Sequence, residues 1–408
     1  MGRAERRGVG IRGTQHRVSE NVKEKNTSLD ESSFRKSHRK WLGKASEAGA
    51  PLLRLAARGM SKRTPSPPSE WKRGLILSHN HMGDVLYRTC SLPVLRSSLP
   101  DCSWTFLTSP SSATVVDNNP ALDDVLPWNT GDDAWTLSKG SFRKLRDRDF
   151  DVVLCTNSLR YYPDLFLASA LGAPNRVSFT HKGLSGLVTH PVEIDFPNSY
   201  ASYFRTMVSA VTGVPGDWPL RPRIFPDSAA EAAASDLWSS RNLNVGIPVV
   251  ACSITTRQKV GNFPSERLLE TLTEARAQTS FRVVFFGAAG DREILRHAAD
   301  RFGNDPVVIA GDLTIPALAA LLRKCTLLLT LDSGPRHLGN AAGIPVFFAR
   351  NMSHSQAEAG VYCETETDIA PRGEYLTDAQ IAEAARRVSA RDIAARLVAA
   401  MGAAGQPA

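Results

Sequence analysis

The stretch Ser78-His79-Asn80-His81-Met82-Gly83-Asp84 sets a carboxylate one residue beyond a glycine, where an apolar run gives way to a helical pattern. Gly83 lets the main chain turn tightly and approach a ligand. Asp84 can take a proton from a hydroxyl there, or it can simply cap the helix that follows. His79 and His81 form an H-x-H pair with no third ligand in view, so no metal site is defined. A second stretch, Asp332-Ser333-Gly334-Pro335-Arg336-His337-Leu338, ends an apolar run in cap residues, a glycine and a proline suited to the first helical position. The start of that helix offers free N–H groups and a positive dipole end, which suit a phosphate or diphosphate. Arg336 and His337 in its first turn disfavour the helix unless an anion binds. Ser253-Ile254-Thr255-Thr256-Arg257-Gln258-Lys259 puts hydroxyls and two cations after another apolar run, a combination suited to phosphate oxygens. Phe286-Gly287-Ala288-Ala289-Gly290-Asp291 repeats the pattern of an apolar run entering a Gly-rich turn.

Repeated elements must hold these turns. Short apolar runs at Gly74–Ser78, Ser103–Thr108, Asp151–Cys155 and Arg176–Phe179 read as strands, with helices at Asp84–Ser98 and Leu165–Leu171 between them. The alternation restarts beyond Trp218–Asp227, where Pro219, Pro222 and Pro226 predict an extended linker. Strands are expected at Pro248–Ser253, Phe281–Phe286, Val307–Ile309, Leu327–Leu331 and Val346–Ala349. Helices are expected at Ser265–Gln278, Asp291–Phe302, Ile315–Lys324 and Pro335–Ala342. Apolar strands alternating with helices predict parallel sheets covered on both faces. The expected layout is a disordered basic tail over 1–72, one α/β domain over 73–217, a second over 228–375 and a helical segment over 376–408. In such sheets the strand carboxyl ends face a cleft that holds the ligand.

The chain has 408 residues, enough for two cores. With 42% hydrophobic and 22% charged residues it has an ordinary globular composition. Its formal charge of +8 sits in the first 70 residues, which carry 16 Lys+Arg against 7 Asp+Glu, leaving the body near neutral. A basic nucleic-acid-binding fold is therefore not implied. The polar, Pro/Ser-containing tail has one apolar patch, Leu52, Leu53 and Leu55, open to a solvated, a membrane-surface or a partner-binding reading, and Met60 is an alternative start. The six cysteines form no C-x-x-C pair and read as buried apolar residues of a reducing compartment. No apolar stretch approaches 18 residues and no signal peptide is recognisable, so a cytoplasmic body is expected. The P-loop, G-x-S-x-G and H-E-x-x-H patterns are absent, and the one G-x-G-x-x-G match, Gly8–Gly13, lies in the basic tail with no apolar strand before it.

Taken in order, several motifs resemble the ADP-heptose:lipopolysaccharide heptosyltransferases, glycosyltransferase family 9. They are Met82-Gly83-Asp84-Val85-Leu86 with Thr89, Leu92, Pro93, Leu95 and Pro100; Asn119-Pro120-Ala121-Leu122-Asp123-Asp124-Val125; Phe285-Phe286-Gly287 to Glu293; Gly311-Asp312-Leu313-Thr314; and Asp332-Ser333-Gly334-Pro335-Arg336-His337-Leu338. The resemblance spans about residues 73–350 and leaves the tail unmatched. It implies a GT-B fold of two Rossmann-like, doubly wound domains facing a cleft, acceptor on the first and nucleotide-sugar on the second. It implies inverting transfer of a heptose-like sugar, ADP-heptose being the implied donor, to a saccharide or lipid-linked saccharide in lipopolysaccharide core or other surface-glycan assembly. By analogy Asp84 is the catalytic base, with Met82 and Gly83 forming its loop. Asp332, Ser333, Gly334 and His337 hold the donor, joined by Thr255, Thr256 and Lys259. The family's donor cation stands three positions before a Trp-Pro; here Phe263-Pro264 fills that motif, Gly261 holds the position, and Lys259 is the nearest lysine. No cofactor, metal or nucleic acid is expected, and peripheral contact with the inner membrane face is compatible with the tail. Two alternatives stay open: a non-catalytic nucleotide-sugar or anion-binding protein of this fold, and a GT-B enzyme with another nucleotide-sugar, such as an epimerase.

Overall fold

The computed structural model describes residues 49–404 except 62, 79–80, 129–139, 158–162, 195–197, 245, 259, 304 and 374–376. The first sheet comprises β1 (Arg73–Ser78), β2 (Ser103–Thr108), β3 (Asp124–Pro127), β4 (Val152–Cys155), β5 (Asn175–Phe179) and β6 (His190–Val192). The second comprises β7 (Val249–Ser253), β8 (Arg282–Gly287), β9 (Val307–Ala310), β10 (Leu327–Leu331), β11 (Val346–Ala349) and β12 (Glu366–Asp368). The spatial orders are β3-β2-β1-β4-β5-β6 and β12-β11-β10-β7-β8-β9, and every pairing is parallel. Numbered from its own first strand, each sheet has the doubly wound order 3-2-1-4-5-6. Its strand order reverses between β1 and β4 in one sheet and between β7 and β10 in the other. Ligands of such sheets bind outside the carboxyl ends at that reversal.

The central strands are long apolar runs because helices bury both faces. Ile76, Phe106 and Leu154 lie in one core, and Leu75, Leu77 and Val153 in another on the opposite face of the first sheet. The core containing Ile76 also takes in Val249, Val284 and Leu328 of the second lobe, so apolar packing continues from one lobe to the other. The outer strand β9 runs beside Arg241, Arg282, Arg292 and Arg296, whose charge discourages another chain from pairing with that edge.

Two expectations change. The Asp84–Ser98 segment is two helices, Met82–Arg88 and Leu92–Ser98. Thr89 Oγ1 donates to the Leu86 carbonyl (2.5 Å) at the break, and Pro93, lacking an N–H, sits in the first turn of the second helix. The 1–72 tail is not uniformly without structure. Residues 1–48 lie outside the described residues, but Ala50–Met60 is a helix, Arg63 pairs with Asp151, the Ser66 N–H donates to Asn175 Oδ1 (3.0 Å), and Trp71 is buried. The apolar positions of 50–60 fall at helical spacing, and the ring of Trp71 supplies a core anchor that composition alone conceals.

The prolines do keep 213–227 free of helix and strand. The linker is tied to both lobes. Its Arg223 N–H donates to Thr89 Oγ1 (2.7 Å), Trp218 Nε1 donates to Ser91 Oγ (3.2 Å), and Arg323 of the second lobe donates to the Ile224 carbonyl (2.9 Å). All six cysteines are buried free thiols, and burial pushes Cys102 up to about 12. Among the described residues no helix is long and apolar enough to cross a membrane.

Candidate functional site

The Met82–Arg88 helix follows β1 and the Gly334–Ala342 helix follows β10, so each begins at its sheet's reversal point. Their N-termini meet across the seam between the lobes. A Cβ on Gly83 would lie 2.6 Å from His337 Cδ2 and 3.2 Å from His337 Nε2, and one on Gly334 would strike Met82 Cε. At Gly83 the His337 ring leaves no room for a side chain, whereas at Gly334 the atom in the way is the flexible tip of Met82. Neither helix has a side-chain cap: His81 makes no capping bond, and the Ser333 hydroxyl turns back to the Leu331 carbonyl (3.4 Å). Two positive dipole ends therefore converge with their first N–H groups unclaimed by side chains, an arrangement that favours an anion.

Asp84 lies in the first turn of its helix and is half-buried, so it is not the cap. One carboxylate oxygen accepts the Tyr87 hydroxyl, one turn on. The Asp84 carbonyl accepts from Arg88 Nη1 (2.6 Å), and Arg88 Nη2 reaches the Thr156 carbonyl just past β4 (3.3 Å). Arg88 thus fastens the Asp84 turn across the β1–β4 reversal. Burial and the neighbouring Asp84 charge push the Tyr87 phenol well above its ordinary range, so it keeps its proton and remains a donor. Its ring meets the His337 imidazole edge-on at 5.6 Å.

On the other lobe, Thr255 Oγ1 donates to Asp291 Oδ2 (2.9 Å), linking two of the Gly- and Thr-bearing turns. Thr256 Oγ1 accepts the Gln258 N–H (3.2 Å). Arg257 is exposed and its Nη1 lies 3.3 Å from His81 Nδ1, joining the lobes at the rim of the seam. Lys259 and His79 lie outside the described residues. Asp332 Oδ1 accepts from Arg336 Nη1 (2.9 Å) and Oδ2 from the Asn351 N–H (3.3 Å). Burial works against its charge, but Arg336 outweighs that and holds its carboxyl below the usual range.

Arg336 does not behave as a cation awaiting an anion. Its guanidinium is buried, and all its N–H groups are used. Nε (2.6 Å) and Nη2 (2.8 Å) grip Glu366, Nη1 takes Asp332 and the Ala359 carbonyl (2.8 Å), and Nη2 takes the Gly360 carbonyl (2.6 Å). It stacks 3.5 Å over Phe348. His337 is likewise not cationic: burial and Arg336 lower it from its ordinary value to about 4.

The sequence reading brought Met82, Gly83, Asp84, Gly334 and His337 to one place and missed the residues that brace them. Tyr87 could have been found from its i+3 spacing to Asp84. Tyr362, Asn340 and Glu366 carry no such signal, because their partners come together only in the folded chain. Tyr362 Oη lies 2.7 Å from His337 Nδ1, and Asn340 Nδ2 lies 2.9 Å from Tyr362 Oη and 2.7 Å from Glu366 Oε1.

Two doubly wound parallel sheets that meet at their reversal points define an α/β protein of the GT-B type. Residues 140–348, just over half the chain, match the profile of glycosyltransferase family 9 (heptosyltransferase), and the chain belongs to that family. A search of curated protein sequences returned no match. Similar folds include a glycosyl transferase family 9 protein from Veillonella parvula (18% identity, 83% of this chain and 98% of that one, TM-score 0.68). They also include E. coli ADP-heptose lps heptosyltransferase II (15%, 81% and 99%, TM-score 0.64) and E. coli heptosyltransferase WaaC with ADP (15%, 80% and 99%, TM-score 0.61).

Proposed function

We propose that this chain is an inverting glycosyltransferase. It moves a heptose-like sugar from a nucleoside-diphosphate sugar, ADP-heptose by family kinship, to a hydroxyl of a saccharide or lipid-linked saccharide in lipopolysaccharide core or other surface-glycan assembly. The observation that carries the reading is the pair of uncapped helix N-termini meeting at both reversal points, with Asp84 in the first turn of one. Asp84 takes the proton of the acceptor hydroxyl as its oxygen attacks the anomeric carbon. The bond to the diphosphate breaks on the opposite face, and the configuration inverts. The charge that grows on the diphosphate is offset by the Gly334–Ala342 helix start, by the His337 ring and by Arg257 at the rim, a set of protein groups that needs no metal. The Thr255–Thr256 turn belongs to the same lobe, and family kinship assigns Lys259 to the donor as well.

The reading also places the enzyme in the cytoplasm against a membrane face. The charge of the N-terminal segment supports that placement, as do Leu52 and Leu55, exposed on the Ala50–Met60 helix. The test is a panel of nucleotide-sugars with saccharide acceptors, run on the wild type and Asp84→Asn. The expected result is transfer by the wild type. The variant should bind the nucleoside diphosphate with unchanged affinity by calorimetry and turn over slower by roughly 100-fold or more, the usual worth of a general base. Hydrolysis or epimerisation without transfer, or near-normal turnover by the variant, rejects this assignment.

A further inference from the structure

His337 touches both lobes, and its hydrogen bonds determine where its proton lies. The chain of bonds begins at Glu366. That carboxylate is gripped by Arg336 and can only accept. The Asn340 side-chain atom 2.7 Å from it must therefore be the amide nitrogen, and the amide oxygen accepts from Thr365 Oγ1 (2.9 Å). The same nitrogen, 2.9 Å from Tyr362 Oη, donates to the phenol. The phenol accepts there and has its own hydrogen left to place. Its one other hydrogen-bond neighbour among the described residues is His337 Nδ1, at 2.7 Å. An O–H pointed anywhere else would be left unpaired in a largely desolvated setting. The phenol retains that hydrogen, because burial and Glu366 push its ionisation well above the ordinary range.

We infer that His337 works as a neutral imidazole with its proton on Nε2, and that Tyr362 is the positioning residue that sets this tautomer, so that an N–H rather than a cation faces the seam. Nε2 has no hydrogen-bond partner among the described residues and lies on the ring edge turned to Gly83. The ring is faced by Asp84 and Tyr87 from the Met82–Arg88 helix, by Tyr362 and Glu366 from the segment after β11, and by Asp332 and Arg336 from its own turn. An N–H aimed at an oxygen that gains negative charge binds it more tightly as the charge develops, without having to lose a proton. That this oxygen belongs to a leaving diphosphate rests on the function proposed above; the tautomer does not.

Histidine-selective 15N labelling of the full chain tests this directly, since protonated and bare ring nitrogens resonate far apart. His337 is assigned from a His337→Gln spectrum and, independently, from contacts to the Tyr87 and Tyr362 rings. The wild type is expected to show a bare Nδ1 and a protonated Nε2 from pH 8 down to about pH 5. Tyr362→Phe removes the donor to Nδ1. Both tautomers should then appear, and the titration midpoint should rise by roughly one unit. A wild-type ring protonated on Nδ1, or a Tyr362→Phe spectrum and titration identical to the wild type, overturns the inference. The expected spectra without sugar transfer would count against the proposed enzyme alone; transfer with the opposite tautomer would count against this inference alone.

Discussion

Glu366 has no exposed side-chain surface, and its two oxygens accept from Arg336 Nε and Nη2, Asn340 Nδ2 and the Tyr362 N–H (2.9 Å). One carboxylate therefore compensates a buried guanidinium, orients an amide and fixes the backbone beside the phenol that addresses His337. Replacing it by glutamine keeps the shape and removes the charge. Among the described residues Arg336 would retain only Asp332 as an ion-pair partner, and an amide N–H₂ would confront other donors. Breaking a buried pair from one side costs about 3–5 kcal/mol, more than the pair itself contributes over an apolar substitute. Glu366→Gln should lower the urea midpoint by an amount equivalent to roughly that figure, with an unchanged slope. A loss below about 1 kcal/mol, the usual worth of an exposed pair, would show that the site is wetter than its geometry indicates.

The Gly334–Ala342 helix can present its N-terminus to the seam only if it lies close on its sheet. Gly339 makes that possible: a Cβ there would stand 2.6 Å from Leu328 Cδ2 and 2.8 Å from Val346 Cγ2, on neighbouring strands β10 and β11. Alanine in a helix interior gains about 1 kcal/mol over glycine, whereas overpacking a filled core costs about 1–3 kcal/mol. Overpacking should win, so Gly339→Ala should melt a few degrees lower, where propensity alone would have it melt higher; a calorimetric scan decides the sign. The elements most legible in the sequence were the inner strands, whose continuous apolar runs put β2, β10 and β11 where they were expected. Three outer strands, β3, β6 and β12, were not anticipated. They are three or four residues long, start or end in Asp, Glu, His or Pro, and acquire strand character only from pairing with a neighbour. The helices Ser202–Thr212 and Ser228–Ser240 also escaped notice, the second because its run of Ala and Ser has little apolar periodicity. At the site, position was legible and protonation was not. Glycine turns after apolar strands located Asp84 and His337, but the neutral ring depends on Tyr362 and Glu366, whose side chains meet it only through the fold.

At the scale of the whole molecule, His337 couples the seam between the lobes to pH. Its imidazole lies between Gly83 and Tyr87 of one lobe and Tyr362 of the other. A histidine of the unfolded chain titrates near 6.5, and this one is lowered to about 4 by burial and by Arg336. Between those values the unfolded chain binds a proton that the folded chain refuses, so this histidine's contribution to stability falls as the solution is acidified. The contribution is fully present above about pH 6.5 and is lost as the pH drops through about 4; a difference of that size corresponds to about 3 kcal/mol. His190, lowered by burial and by Arg176, adds to the slope in the same direction from the first lobe. The depressed carboxyls Asp123, Asp151, Asp312 and Asp332 lose their stabilisation only as they protonate, below the ordinary carboxylate value. Urea midpoints measured from pH 7 to pH 4.5 should therefore decline in the wild type and decline distinctly less in His337→Gln, which has no proton to bind in that window. Equal slopes in the two proteins would mean that the imidazole is already solvated or charged in the folded state, and the lobes would then be free to separate around it without a pH-dependent cost.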